Sequence, residues 1–195
     1  SALPDAIAAA HTRLRPYIRE TPCDESLALG QRLGGTVLLK GEHLQHTGSF
    51  KARGALHKLL CLTGEVRARG VVAASSGNHG AGVAWAARLL GTRALIYVPE
   101  QASPAKVAMI RRYGADVLHV GTDGLDTELH AREVAEREGQ CYVSPYNDLE
   151  VVCGQGTAGV EMAAQAGMLD AVIVSVWGGG LIAGVAAALK ASVDG

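Results

Sequence analysis

Short runs of β-forming residues alternate with helical runs along most of this chain, and no other feature constrains its fold as strongly. The predicted strands are 36–40, 70–74, 94–98, 116–120, 140–144 and 171–176. The predicted helices are 50–60, 81–90, 105–113, 125–138, 156–166 and 182–191, and several of them end at a glycine, as a left-handed C-cap requires. Regular alternation of this kind predicts parallel strands joined by right-handed crossovers, and therefore an α/β fold.

Composition and charge exclude several classes of partner. The chain has 18 basic and 19 acidic residues, a formal net charge of -1, and no basic stripe. Aromatic residues make up only 4%, so few side chains could stack on the bases of single-stranded nucleic acid. We therefore expect no nucleic acid and no membrane surface as a partner, and we expect a protein that binds a small molecule.

The cysteines and the N-terminal residues bear on the cellular compartment. The chain has four cysteines, and they form neither a CxxC pair nor zinc-finger spacing: Cys23, Cys61, Cys141 and Cys153. A chain that is 48% hydrophobic does not need disulfides for its core. Residues 1–17 do not match a signal peptide, and the apolar runs are interrupted well short of a membrane span. These observations predict free thiols in a cytoplasmic protein.

Three loops carry most of the chemically interesting residues, and each precedes a helix. The first, HTGSFKARGA at 46–55, places Lys51 in the first turn of its helix. The positive end of the helix dipole, together with burial, lowers the pKa of an amine and favours its neutral, nucleophilic form. Lys51 is therefore a candidate nucleophile; a solvated lysine after a good N-cap is the alternative.

The second loop, SSGNHGAG at 75–82, follows the apolar strand 70–74. It brings hydroxyl groups, an amide, an imidazole and closely spaced backbone N–H groups to a helix start. This combination suits a carboxylate or a phosphate. The alternative is a glycine-rich turn with a serine cap, in which His79 is only structural.

The third loop, WGGGL at 177–181, follows the predicted strand 171–176. Three successive glycines have no β-carbon, so their backbone N–H groups can approach an anion at a helix N-terminus. The loop therefore predicts a phosphate site, although a plain connecting loop remains the alternative. No Lys-Ser/Thr pair of a P-loop follows, so a nucleoside triphosphate is not expected.

Two further patterns are weaker. Residues 154–159 match GxGxxG, but no good strand precedes them and no acidic residue ends a second strand about twenty residues later, as a dinucleotide site requires. His43 and His46 have no third ligand nearby. We therefore expect neither a dinucleotide nor a metal ion.

The order of these segments resembles one enzyme family. The chain resembles the fold type II enzymes that depend on pyridoxal 5'-phosphate (PLP) in five motifs: ExLQxTGSFKARGA, SSGNHG, PYND, GQGT and GGGL. The resemblance extends from Thr21 to the last helix. Within this family the chain is most similar to the serine/threonine dehydratases (ammonia-lyases) and serine racemases. Ala52 stands where the sulfhydrylase and threonine-synthase branches usually have aspartate, and SGNHG stands where sulfhydrylases favour SGNTG.

The resemblance implies a fold like that of the tryptophan synthase β subunit: two open parallel-sheet α/β domains with PLP in the cleft between them. Residues 1–69 and 146–195 would belong to a larger PLP-binding domain, and a smaller mobile domain, residues 70–145, would close over an amino-acid substrate. No strand follows the last helix, so we expect the C-terminal part of the larger domain to be missing. Homodimers are usual in the family.

The resemblance also implies roles for individual residues. Lys51 would hold PLP as an imine and shuttle the α-proton, Phe50 would pack near the cofactor, and Asn78 would hydrogen-bond its 3'-oxygen. The substrate carboxylate would be received by Ser75, Ser76, Gly77 and His79. The phosphate would be bound through the backbone N–H groups of Gly178, Gly179, Gly180 and Leu181. Relatives often have glycine where Trp177 stands, and its indole is expected to crowd this loop.

The implied activity is the conversion of a β-hydroxy amino acid, such as L-threonine or L-serine, to a 2-keto acid and ammonia. Racemisation remains an alternative, because racemases have serine and dehydratases commonly have alanine where this chain has Ser76. A non-catalytic or truncated ligand-binding paralogue is the third possibility. Trp177 favours it, whereas the intact Lys51 and Asn78 oppose it.

Overall fold

A computed structural model describes residues 2–193, which form nine α-helices, a 3-10 helix at Glu42–Leu44 and six β-strands. The helices are α1 (Ala2–Leu14), α2 (Leu27–Leu33), α3 (Lys51–Cys61), α4 (Gly64–Arg69), α5 (Asn78–Leu89), α6 (Pro104–Arg112), α7 (Gly124–Arg137), α8 (Leu149–Ala166) and α9 (Gly180–Val193). The strands are β1 (Cys23–Glu25), β2 (Leu38–Lys40), β3 (Val71–Ala74), β4 (Ala94–Val98), β5 (Asp116–His119) and β6 (Cys141–Tyr142). Over this range no helix combines the length and the apolar character needed to cross a bilayer.

A parallel sheet in the order β5-β4-β3-β6 forms one half of the described structure. Val71 of β3 pairs with Ala94 of β4 on one side and with Cys141 of β6 on the other. The central strands are apolar because helices cover both faces of the sheet, with α7 on one face and α5 and α6 on the other. The prediction of an α/β fold with parallel strands is confirmed.

Helices α1, α3, α8 and α9 pack together in the other half, and α3 also contacts α5 beside the sheet. The contact of α3 with α8 is unusually close. A β-carbon on Gly154 of α8 would lie 2.6 Å from the Cα of Gly54 and 2.7 Å from the carbonyl oxygen of Arg53. Gly156 and Gly159 approach α9 in the same way. The GxGxxG pattern therefore lies within a helix and serves helix packing.

The prediction of a strand at 171–176 was wrong for the described structure. A strand forms only where a neighbour supplies hydrogen bonds, and this segment makes none with the described strands. Ile173 is 99% exposed and Val176 is 62% exposed. Consequently residues 2–193 do not form the expected second parallel sheet, and their other strand pair, β1 with β2, is antiparallel.

The extent of several helices was also mispredicted. Helix α8 begins at Leu149 rather than at 156, because the side chain of Asp148 caps it by accepting hydrogen bonds from the N–H groups of Glu150 and Val151. Helices α1, α2 and α4 were not predicted, and the strand expected at 36–40 is reduced to β2. The remaining predicted strands correspond to β3, β4, β5 and β6.

Candidate active site

The three chemically interesting loops meet around one short segment, Pro145 and Tyr146, just beyond the carboxyl end of β6. Lys51 Nζ donates a hydrogen bond of 2.8 Å to the carbonyl oxygen of Pro145. The ring of Tyr146 packs directly against Gly178 in the glycine loop, 178–180. The second loop leaves β3, the neighbour of β6, at the same edge of the sheet. Ligands of open α/β sheets bind at this edge, so the loops define a candidate active site.

Lys51 is the first residue of α3, and its side chain is half-buried. Burial lowers the pKa of its ammonium group from 10.5 to about 8. The ring of Phe50 lies 5.2 Å from Nζ, measured to the ring centroid. A substantial neutral fraction near physiological pH is the property that a nucleophilic or proton-accepting amine needs.

The serines of the second loop are half-buried, and Asn78 is exposed at the start of α5. The hydroxyl of Ser75 accepts a hydrogen bond of 3.2 Å from the N–H of Gly77, which tightens the turn. The first-turn N–H groups of α5 have no partner within the helix, so they are available to an anion.

His79 has a different environment from the rest of this loop. Its ring is 3% exposed, and its Nε2 donates a hydrogen bond of 2.8 Å to the carbonyl oxygen of Val143. Burial lowers the pKa of the imidazole to about 4, so the ring is neutral and Nδ1 is unprotonated. The imidazole is thus buried and hydrogen-bonded within the protein. The backbone N–H of His79 is the group that could face a carboxylate.

The glycine loop leads directly into α9. Gly179 has a φ of 86°, a conformation that other residues rarely adopt, and Gly180 is the first residue of the helix. A β-carbon on Gly178 would collide with the ring of Tyr146. The expectation that Trp177 crowds this loop was wrong, because its indole is 99% exposed and extends away from the glycines.

A buried ion-pair network that involves Arg53, two residues after Lys51, was missed by the sequence analysis. Arg53 is fully buried, and it donates to both carboxylate oxygens of Glu42 at 2.7 and 2.8 Å and to both of Glu161 at 2.6 and 2.7 Å. Lys40 Nζ is 2.6 Å from Glu161. The ExLQxTGSFKARGA motif contains both Glu42 and Arg53, but it gave no indication that they pair or that Glu161, 108 residues after Arg53, joins them.

The two histidines considered as metal ligands have different surroundings, and His43 is exposed. The ring of His46 stacks on Trp85, with the ring centroids 5.0 Å apart. Throughout residues 2–193, no cluster of three or more His, Cys, Asp or Glu side chains is arranged to hold a metal ion. All four cysteines are free thiols.

The fold and the site place the chain in a known class. Residues 14–195 match the family described as pyridoxal-phosphate dependent enzyme, and the chain belongs to this family. Its cofactor is therefore PLP, and the prediction of family and fold type is confirmed.

Individual relatives refine this placement. The chain is 46% identical over 182 residues to the catabolic L-threonine dehydratase of Staphylococcus aureus, covering 93% of this chain and 53% of that protein. It superposes on the T.th. threonine deaminase with a TM-score of 0.86 and 46% identity, covering 96% of this chain and 60% of the other. The superposition on maize serine racemase gives a TM-score of 0.92 and 37% identity, and it covers 96% of this chain and 57% of the racemase. The chain thus spans about half the length of the curated relatives that it matches.

Proposed function

We propose that this protein is a PLP-dependent dehydratase (ammonia-lyase) that converts a β-hydroxy amino acid, such as L-threonine or L-serine, to a 2-keto acid and ammonia. The observation that carries the proposal is Lys51, a half-buried amine with a pKa of about 8 where the three loops meet. The names of the relatives that are 46% identical, a threonine dehydratase and a threonine deaminase, support this choice of activity.

The residues present fit the cofactor. The missing β-carbons of Gly178 and Gly180 let this loop lie against Tyr146 and lead into α9, whose first-turn N–H groups have no partner within the helix and suit a phosphate. In our proposal Lys51 holds the cofactor, Asn78 contacts its 3'-oxygen and Phe50 lies beside it. The phosphate is bound by the backbone N–H groups of Gly178, Gly179, Gly180 and Leu181. When bound, PLP supplies an electron sink for the charge that develops at the substrate's Cα.

The substrate carboxylate would bind in the second loop, at the start of α5. In our proposal Ser75, Ser76, Gly77 and His79 surround it, and the donors are the hydroxyl groups of Ser75 and Ser76 and the backbone N–H groups of Ser76 and His79. The N–H of Ser75 donates to the carbonyl oxygen of Tyr97, and the N–H of Gly77 would have to leave the Ser75 hydroxyl to reach the carboxylate. Two contacts from one helix start fix the carboxylate and therefore the direction of the Cα–H bond. Because the His79 ring is neutral and buried, this loop would bind the anion without a charged side chain.

Lys51 would accept the Cα proton. A carbonyl oxygen can only accept hydrogen bonds, so the bond from Nζ to Pro145 uses an N–H and leaves the lone pair of the neutral amine free. Pro145 thereby orients Nζ. The lowered pKa makes this general-base role feasible near neutral pH.

Racemisation is a second candidate because of Ser76. Ser76 is half-buried, and its hydroxyl could return a proton to the other face of Cα. The similarity to maize serine racemase supports keeping this candidate. A non-catalytic paralogue is less well supported, since Lys51, Asn78 and the glycine loop are all present. We further propose a homodimer in the cytoplasm whose smaller domain, residues 70–145, closes over the substrate.

Replacement of Lys51 tests the proposal directly. Purified wild-type protein supplied with PLP should form a 2-keto acid from L-threonine or L-serine and show a visible absorbance band. Lys51→Ala should lose both, because no other amine of the site occupies a helix start. Lys106→Ala, which removes an exposed lysine of α6, is the matched control.

Borohydride reduction followed by peptide mapping identifies the lysine that carries the cofactor. We expect it on the peptide that contains Lys51. Labelling at Lys40, Lys58 or Lys106 would mean that the assignment is wrong. Interconversion of enantiomers without keto acid would favour the racemase instead.

A further inference from the structure

Tyr146 contacts the glycine loop that is proposed to hold the phosphate, and it is next in sequence to the residue that binds Lys51. Its ring lies against Gly178, and its backbone is close to Gly180, where an added β-carbon would be 3.3 Å from the Cα of Tyr146. It directly follows Pro145, the residue whose carbonyl oxygen binds Lys51. Two consecutive residues, Pro145 and Tyr146, therefore contact the Lys51 amine and the glycine loop respectively.

The hydroxyl of Tyr146 is held by a residue of a different element, helix α7. It donates a hydrogen bond of 3.0 Å to Oε2 of Glu128 in α7. Oε1 of Glu128 accepts two hydrogen bonds from Arg132, at 2.7 and 3.0 Å, so the carboxylate is held in place. The guanidinium of Arg132 in turn lies 4.3 Å from the ring centroid of Tyr142. The hydrogen bond to Glu128 raises the pKa of Tyr146, so the phenol keeps its proton and remains a donor.

We propose that Tyr146 is a positioning residue for the cofactor, whose ring supports the glycine loop and whose hydroxyl, held by Glu128, ties that loop to α7. The inference rests on the proposed function, since it assumes that the loop binds the phosphate of PLP. The physical reason is preorganisation: a glycine-rich loop has many accessible backbone conformations, and the aromatic surface selects the one that leads into α9.

The Glu128 contact adds a connection between the two proposed domains. Helix α7 belongs to residues 70–145, whereas the glycine loop belongs to residues 146–195. Movement of the smaller domain would therefore reach the phosphate loop through this hydrogen bond as well as through the chain connection from Pro145 to Tyr146, and the geometry of the bond would affect how firmly PLP is held.

The test compares the PLP dissociation constants of the full-length protein and its variants. Tyr146→Phe removes only the hydroxyl, and Glu128→Leu removes the acceptor at similar size. Each should weaken PLP binding by about tenfold, as expected for loss of a hydrogen bond to a charged group. Because both changes break the same bond, the double variant should bind PLP no more weakly than the weaker single variant.

Conservative and remote variants separate positioning from folding. Glu128→Gln keeps an acceptor for the phenol and should restore PLP affinity to within about twofold of wild type. Glu133→Leu, at an exposed position of the same helix, is the matched control and should leave the affinity unchanged. Melting temperatures of the cofactor-free proteins show whether any variant is simply less stable. Inorganic phosphate, used as a second probe, should follow the same order of affinity.

The possible outcomes are distinct. Wild-type affinity in Tyr146→Phe, or additive effects of the two single changes, would overturn the positioning role while leaving the proposed function intact. A lowered melting temperature with unchanged PLP and phosphate affinities would also overturn it. If the wild-type protein itself holds no PLP, the proposed function and this inference fail together.

Discussion

The lowered pKa of Lys51 makes a prediction about pH. An amine with a pKa of about 8 is roughly one-tenth neutral at pH 7, whereas an amine with the ordinary pKa of 10.5 would be almost entirely charged. The rate at which the cofactor-free protein takes up PLP should therefore rise with pH and level off above about 8. Stopped-flow absorbance at several pH values measures this rate, and a midpoint near 10.5 would contradict the prediction.

The same pKa predicts the sign of a stability effect. Between about 8 and 10.5 the unfolded chain keeps the Lys51 proton that the folded chain has lost. The contribution of Lys51 to the free energy of unfolding should therefore increase with pH across this window. Lys51→Met should remove that increase.

Ser76 distinguishes the two candidate activities. Racemisation needs a proton donor on the face opposite Lys51, and elimination needs none there. Ser76→Ala should thus lower any interconversion of enantiomers by about 100-fold, the usual scale of general acid catalysis, while keto-acid formation continues. Chiral chromatography measures the interconversion of enantiomers, and a keto-acid assay measures elimination. Ser192→Ala, at an exposed position, is the control. Equal loss of both would mean that Ser76 only shapes the carboxylate loop.

Among the elements, the α3–α8 contact is the least tolerant of added volume. A β-carbon on Gly154 would meet backbone atoms of α3 that cannot move aside easily. Gly154→Ala should lower the free energy of unfolding by about 1–3 kcal/mol, as overpacking does. Gly64→Ala, where an added β-carbon meets no atom within 4 Å, should be neutral or slightly stabilising. Urea unfolding measures the free energy of unfolding of wild type and both variants. If Gly154→Ala were as stable as wild type, α3 and α8 would be able to move apart readily.

The same elements show what the sequence can and cannot predict. The apolar runs of β3 and β4 were recognised because burial on both faces leaves a local signature, and the loops around Lys51, Asn78 and Gly178 were recognised by their residue types. The start of α8 was missed because its glycines lower helix propensity, which packing against α3 and α9 overrides. The Tyr146–Glu128 bond joins residues from different elements, and no periodicity indicates such a pair.

At the scale of the whole molecule, segment 171–176 leaves apolar side chains and backbone groups exposed. A segment whose backbone groups bond to none of the described strands can pair with another chain. We therefore expect residues 1–195, expressed alone, to self-associate. Light scattering after size-exclusion chromatography should show less association for Ile173→Lys, because Ile173 is 99% exposed and its replacement disturbs no packing. Monomeric wild-type protein at high concentration would contradict this.

The close approach of Gly54 and Gly154 also determines how Lys51 is aimed. If α8 were shifted along α3 so that another residue, such as Cys153, took the place of Gly154, its side chain would arrive where only a hydrogen atom fits, so the register of the helix pair is restricted. Lys51 lies on α3 less than one turn before Gly54, at a fixed angle around the helix axis. The rotation of α3 about its axis, and with it the direction in which the Lys51 side chain leaves the helix toward Pro145, is thereby set by a backbone contact on a neighbouring part of the same helix surface, about 60° away.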